Sequence, residues 1–303
     1  TTSVWVEKCT GFEHMVAIHF NILEADLFDE LLRLSSELGL YSCPDYFQLM
    51  GGASLSNSEP YVVEKIKFEI DLPSKLTIID TPINNEHEYL KDKNIEPNDY
   101  NDHGVENSHH GTHVAGIAVQ MYPKIQLISF PAIGIAVPIE AYDMSHHDIE
   151  KKYGKNGKEL SGIGKFSAAL TKFLNSNSRV VNISAGIDNV DQSVIAFITP
   201  VLKWLRNKGS ILTIAAGNKG TNIDDNRATD FLMHFVNKVM ADDINGPFVM
   251  DNIVAVAACD QNGQLAPFSN YGKNSVLLAA AGVGVRSCTT LKNSFECFNG
   301  TSQ

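Results

Sequence analysis

A chain of 303 residues, 44% of them hydrophobic, is long enough to bury one large core or two modest ones. Its 35 acidic residues outnumber its 24 basic ones, giving a net charge of −11, and no segment forms a basic stripe. Nucleic-acid binding, which needs clustered Lys and Arg on phosphates, is therefore not expected, and the acidity reads as solubility rather than substrate preference.

The longest uncharged apolar run, Ile125–Ile139, contains two prolines and falls short of the ~18 residues that suggest a membrane span. The five cysteines, Cys9, Cys43, Cys259, Cys288 and Cys297, leave at least one thiol unpaired. Cys288 and Cys297 flank a hairpin-like stretch and would be the pair to bridge in an oxidising compartment; reduced, buried thiols are expected for most of the five. No Cys-x-x-Cys pair supports a zinc or redox site.

Residues 1–75 read as an extension that precedes the core. Met15–Phe20 predicts a short strand, and Glu24–Leu38 an amphipathic helix with Leu27, Leu31, Leu34 and Leu38 on one stripe and Gly39 as its stop. Ser42–Pro60, rich in Gly, Ser, Asn and Pro, predicts loop. Tyr61–Ile70 alternates, with Ile66, Phe68 and Ile70 inward, as a half-exposed strand does.

From residue 76 the rhythm changes to short apolar strands alternating with helices. Leu76–Ile79, Ile125–Phe130, Val180–Ile183, Ile211–Ala215 and Ile253–Ala258 predict strands, with helices near 111–121, 165–175 and 191–207. That alternation predicts a mostly parallel central sheet covered on both faces, a three-layer α/β sandwich with an N-terminal extension. Gly209 is placed to cap the third helix, and Pro200 inside it predicts a kink or a later start. Ile133–Gly164 and Arg227–Asp243 interrupt the rhythm; the second reads as an extra amphipathic helix. Either is in a position to shape a cleft, and structural elaboration is the default for both.

Four stretches carry chemistry. Asp80 follows a strand, at the carboxyl edge where ligand sites of such sheets form. His110 opens His-Gly-Thr-His-Val-Ala-Gly, where Val114, Ile117, Ala118 and Met121 mark one helix face, so the imidazole stands where a loop enters a buried helix. Asn218 lies just beyond the strand that ends at Ala215. Ser302 sits in the turn Asn299-Gly300-Thr301-Ser302. A carboxylate, an imidazole, an amide donor and a hydroxyl are the parts that acyl transfer requires.

With these stretches in order, the chain resembles the subtilisin-like serine proteases (subtilases), whose triad runs Asp, His, Ser along the sequence. The matching residues are Ile79-Asp80-Thr81, His110–Gly116, Asn182-Ile183-Ser184-Ala185-Gly186, Ala216-Gly217-Asn218 and Gly300-Thr301-Ser302, with Phe268-Ser269-Asn270-Tyr271-Gly272 as a further family-like turn. The resemblance implies a subtilisin-like catalytic domain over residues 76–303 that acts as a serine endopeptidase on peptide or protein substrates, without a cofactor. Ser302 would be the nucleophile, His110 the general base and then acid, and Asp80 the group that holds its tautomer. Asn218 would stabilise the oxyanion with the Ser302 amide. Ser184, Ala185 and Gly186 would form an edge strand for the substrate backbone, with Ala216, Gly217 and Lys219 lining the cleft. Lys219 would favour an acidic or polar residue before the scissile bond; a solvated surface lysine is the alternative. His113 reads as structural.

His103 and His109 invite a metal reading, but neither sits in an His-Glu-x-x-His arrangement, so no metal is expected. Several residues depart from the family pattern. Pro82 stands after Asp80-Thr81, where the family usually has Gly, and Ala281 stands where Pro is common. Met121-Tyr122-Pro123 leaves no room for the calcium loop of many secreted relatives. The strand and helix of residues 15–38 only partly echo an inhibitory propeptide. The family's buried helix after the serine has no counterpart before Gln303, so a C-terminal continuation or a second fragment is expected to complete the fold. Two other functions remain open: a peptide ligase or macrocyclase using the same site, and a degenerate protease domain acting as a binding scaffold.

Overall fold

The computed structural model describes residues 74–93, 95, 109–132, 163–184, 192–225, 252–290 and 293–303. It also describes short pieces at 4–8, 16–20, 50–51, 54–55 and 136–137, and single residues between 30 and 38. The expected strand Tyr61–Ile70 and helix Arg227–Asp243 lie outside these residues, as does nearly all of Ile133–Gly164.

Among the described residues, six strands form the central sheet: β5 (Lys75–Ile79), β6 (Gln126–Ser129), β8 (Val180–Ile183), β9 (Ile211–Ala215), β10 (Ile253–Cys259) and β11 (Leu278–Ala281). Every pairing within it is parallel, in the order β11-β10-β9-β8-β5-β6. Ile78, Ile79, Leu127, Val181, Ile183, Leu212 and Ile214 are buried, as the short β-branched and leucine runs of a doubly covered sheet require. Five of the strands follow the expected runs to within a residue or two. β11 was not anticipated: Leu-Ala-Ala-Ala has neither alternation nor β-branched residues.

Helix α1 (His109–Met121) joins β5 to β6, and helices α2 (Ile163–Asn175) and α3 (Gln192–Asn207) precede β8 and β9. β6 and β8 flank β5 on opposite sides, so the crossovers run in opposite directions. Their right-handedness then puts α1 on one face and α2 and α3 on the other. Pro200 lies inside α3 without ending it, and Gly209 (φ 67°) follows its last turn as a left-handed cap. On the α1 face, Val114, Ala115 and Val119 pack with Ile78, Ile83, Leu90, Leu127 and Cys288 in one buried cluster.

That cluster is closed by a hairpin of β12 (Val285–Cys288) and β13 (Phe295–Asn299). Its register sets Cys288 opposite Phe295 and Cys297 opposite Arg286. The two cysteines are thus diagonal neighbours, a placement that typically sets the chain positions ~7–8 Å apart, beyond the ~4.4–6.8 Å between Cα atoms that a disulfide spans. Both are free thiols, which corrects the bridge considered from sequence; burial pushes the Cys288 thiol up to about 12.

In the N-terminal part, β1 (Val4–Lys8) pairs antiparallel with β2 (Val16–Phe20). Within Ser42–Pro60, expected to be loop, the described residues form two short strands. β3 (Met50–Gly51) pairs with β7 (Ala136–Val137), and β4 (Ser54–Leu55) pairs with the end of β13. Both partners are distant in sequence, so local composition gave no sign of them.

The contact of α1 with β12 depends on a missing side chain. A Cβ on Gly116 would stand 2.2 Å from Ser287 Oγ and 2.8 Å from Cys288 Sγ. Ser287 Oγ is itself held, donating to the His113 carbonyl at 2.7 Å, so it cannot simply turn away. Gly116→Ala is expected to lower the unfolding free energy by ~1–3 kcal/mol in denaturant titrations, despite alanine's better helix propensity. A neutral or stabilising effect would show that the helix and strand are not this close.

Candidate active site

The sheet is wound so that one crevice is inevitable. β5 is the strand at which the chain reverses its direction of travel, and ligand crevices form beyond the carboxyl ends of strands at such a point. Ile79 is level with Ile183, and Ile183 with Ile214. Asp80, Ser184 and the segment Ala216–Asn218 therefore leave adjacent strands β5, β8 and β9 along one edge.

Asp80 is 1% exposed and His110 2%. His110 Nδ1 lies 2.8 Å from Asp80 Oδ1 and 3.0 Å from Oδ2. An ionised carboxylate only accepts, so Nδ1 carries the proton and a neutral ring leaves its lone pair on Nε2. That nitrogen is buried and has no hydrogen-bond partner. Leaving a buried polar group unpaired costs about 1–3 kcal/mol, which an arriving donor would recover.

Short local contacts fix this pair. The Thr81 amide donates to Asp80 Oδ1 at 2.6 Å, so the amide missing at Pro82 is not the one this turn uses. Gly111 N donates to Thr81 Oγ1 at 2.9 Å, and Asn84 N to Thr112 Oγ1 at 2.9 Å, tying the first turn of α1 to the segment after β5. A Cβ on Gly111 would stand 2.2 Å from the Thr81 carbonyl oxygen. The glycine beside the histidine is what lets helix and strand end approach this closely.

Ser302 follows β13 by three residues and is 8% exposed. Its hydroxyl donates to the Ser184 carbonyl at 3.3 Å, and the Ser184 hydroxyl donates to the Ser302 carbonyl at 3.2 Å. Behind them, Thr213 Oγ1 donates to Asn182 Oδ1 and Asn182 Nδ2 to Ser184 Oγ, both within 2.9 Å. Asp80 and His110 are thus paired, whereas the serine hydroxyl is turned to Ser184.

Asn218 is buried. Its Oδ1 accepts from the Thr301 amide and from Thr301 Oγ1, both at 2.9 Å, and Thr301 Oγ1 accepts from Gly217 N at 3.0 Å. With its oxygen committed to Thr301, the planar carboxamide turns its NH2 group the other way. Thr301, quoted from sequence within Gly300-Thr301-Ser302 but given no role there, is the residue that organises this corner.

Among the remaining expected site residues, Ser184 and Ala216 are buried, Gly217 is half-buried and Lys219 exposed; Ala185 and Gly186 lie outside the described residues. His109 is engaged by Thr290, whose amide donates to its Nδ1 at 3.2 Å; His103 lies outside the described residues. Among the described residues no group of three or more His, Cys, Asp or Glu could hold a metal ion, and no helix is long and apolar enough to cross a membrane.

A buried carboxylate–imidazole pair, a hydroxyl and a carboxamide along one sheet edge are the kinds of group that acyl transfer at a serine requires. Comparison narrows the class. The subtilase family model (Peptidase S8) matches residues 74–303, and the chain belongs to that family of subtilisin-like serine proteases. Subtilisin-like protease 2 of Plasmodium falciparum is 29% identical over 197 residues, covering 64% of this chain and 12% of that protein. The thermophilic serine proteinase of Bacillus sp. (strain AK1) is 28% identical over 232 residues, covering 75% and 48%. This chain therefore spans less than half the length of either relative. The crystal structure of the epidermin leader peptide processing serine protease of Staphylococcus aureus shares the fold, with a TM-score of 0.52 at 21% identity over 76% of this chain and 62% of that one.

His113, one helical turn beyond His110, stacks on Phe298 with ring centroids 4.2 Å apart, and its Nε2 faces the Glu296 carbonyl at 3.2 Å. It ties α1 to the strand that leads to Ser302. Burial, aided by the neighbouring histidines and opposed by the Glu296 hydrogen bond, lowers its pKa to about 3. Below the unfolded value near 6.5 the unfolded chain binds the proton first. Stability is therefore complete above that pH and lost as pH falls towards 3, by roughly 3 kcal/mol at pH 4. In His113→Gln the loss between pH 7 and pH 4 should shrink by about that amount in urea titrations. An unchanged pH dependence would show that His113 is not the group responsible.

Proposed function

We propose that this domain is a serine endopeptidase working through an acyl-enzyme intermediate. The observation that carries the reading is the buried Asp80–His110 pair, whose Nε2 has no hydrogen-bond partner, while Ser302 is held at the end of the neighbouring strand β8 by Ser184. Ser302 Oγ leaves the Ser184 carbonyl and donates to His110 Nε2. Oγ then attacks the scissile carbonyl carbon as its proton passes to Nε2, and Asp80 stabilises the imidazolium. The oxyanion receives N–H groups from the Asn218 side chain and the Ser302 main chain. Collapse breaks the C–N bond, and the amine leaves with the proton from Nε2. Water then gives a proton to Nε2 as it attacks the ester carbon; collapse breaks the C–Oγ bond, the acid is released, and the proton on Nε2 passes to Oγ to restore Ser302.

The substrate backbone would lie along Ser184–Gly186 as an added strand, beside Ala216 and Gly217. Lys219, exposed directly after Asn218, would favour an acidic or polar residue before the cleaved bond. Residues 1–75 are read as an extension of a catalytic domain that begins near residue 76.

Fluorophosphonate labelling of the full chain tests the nucleophile. Wild type should be labelled and Ser302→Ala not, with peptide hydrolysis falling by about 10⁴-fold or more. Folded wild-type protein that takes up no label would instead favour a binding scaffold. Asn218→Ala should lower kcat by about 10²–10³-fold with little change in KM. A peptide-library profile should lose its preference for acidic residues in Lys219→Ala; a purely apolar preference unaffected by that change would remove Lys219 from the pocket.

A further inference from the structure

The turn Phe268-Ser269-Asn270-Tyr271-Gly272 is a family-like stretch of the sequence that the reaction above does not use. Asn270 within it is 3% exposed, and its side-chain Oδ1 accepts three hydrogen bonds: from Lys219 N at 3.0 Å, Thr221 N at 3.1 Å and Thr221 Oγ1 at 3.1 Å. Its own amide donates to the Gly217 carbonyl at 2.8 Å. One residue thus grips the chain immediately before and immediately after Asn218. Further backbone bonds zip the two segments together, from Gly220 N to Phe268 O (2.7 Å), Tyr271 N to Thr221 O (3.0 Å) and Ile223 N to Tyr271 O (2.7 Å). Thr301 fixes the Asn218 carboxamide itself, while Asn270 fixes the backbone from which it projects.

We propose that Asn270 is a positioning residue for the Asn218 carboxamide, acting as a triple acceptor that holds residues 217–221 in register with Ser302. It touches no reacting atom and acts through Asn218, so the proposal rests on the reading of Asn218 as the oxyanion donor. An oxyanion donor is effective only when preorganised at hydrogen-bond distance, so loosening its backbone lowers transition-state stabilisation rather than substrate binding. Without the Asn270 oxygen, the Lys219 and Thr221 amides must find water or shift, and the loop carrying Asn218 shifts with them.

A double-mutant cycle on the full chain tests this, with kcat and KM measured on one peptide substrate and folding checked by thermal melts. Asn270→Ala is expected to lower kcat about ten- to a hundredfold with KM within about twofold. In the Asn218→Ala background the same change should lower kcat by less than about threefold, because there is no donor left to misplace. Asn270→Asp keeps an oxygen for the three donors and should fold and retain kcat within about tenfold of wild type. Equal losses in both backgrounds, a rise in KM with kcat intact, or an Asn270→Asp variant as slow as Asn218→Ala would each overturn the proposal. The oxyanion reading itself fails separately, if Asn218→Ala alone leaves kcat unchanged.

Discussion

The hydrogen bond between Asp80 and His110 is the constraint on which the site depends. It joins the end of the switch-point strand to the first turn of α1, and both partners are shielded from water. A carboxylate and an imidazole so placed are tolerable only because each has a donor or acceptor already provided. The Thr81 amide serves Asp80, and the carboxylate serves Nδ1. Of the pair's own polar atoms, Nε2 is the one left without a partner, and the proposed chemistry must reach it. Gly111, Thr81, Thr112 and Asn84 keep helix and strand end close enough for that pair to exist.

The second layer of order comes from strand register. Parallel pairing at Ile79–Ile183–Ile214 brings three chain segments to one edge at one height, and the β12–β13 hairpin delivers Thr301 and Ser302 to the same place. Thr301 and Asn270 then act as linchpins in polar form: each accepts or donates several bonds to segments some 50 to 84 residues away. Such bonds are directional, so they fix a carboxamide more sharply than apolar packing would. Apolar burial under α1 holds the scaffold, and buried polar contacts set the positions within it.

Much of this was legible in the sequence because the information is local. Short apolar runs marked five of the six sheet strands described, a 3.6-residue pattern marked α1, and the residue types at Asp80, His110, Asn218 and Ser302 suggested the chemistry proposed for them. What sequence left hidden is non-local. Pro82 departed from the family pattern after Asp80-Thr81, and only the structure shows that the turn uses the Thr81 amide instead. Cys288 and Cys297 looked bridgeable until the hairpin register set them diagonally. Met50–Gly51 and Ser54–Leu55 read as loop because their strand partners lie more than 80 residues away. Asn270 and Thr301 sat in recognisable turns, but nothing in a linear chain shows that an amide oxygen meets three donors across 50 positions.

The central claim is that Asp80 fixes the His110 tautomer, with the proton on Nδ1 and a basic lone pair on Nε2. Long-range 1H–15N correlation spectroscopy of the imidazole nitrogens at neutral pH measures this directly. The account predicts that His110 in the wild-type chain is the Nδ1-protonated tautomer and that Asp80→Ala abolishes that preference. A His110 ring protonated on Nε2, or a tautomer indifferent to the loss of Asp80, would contradict it.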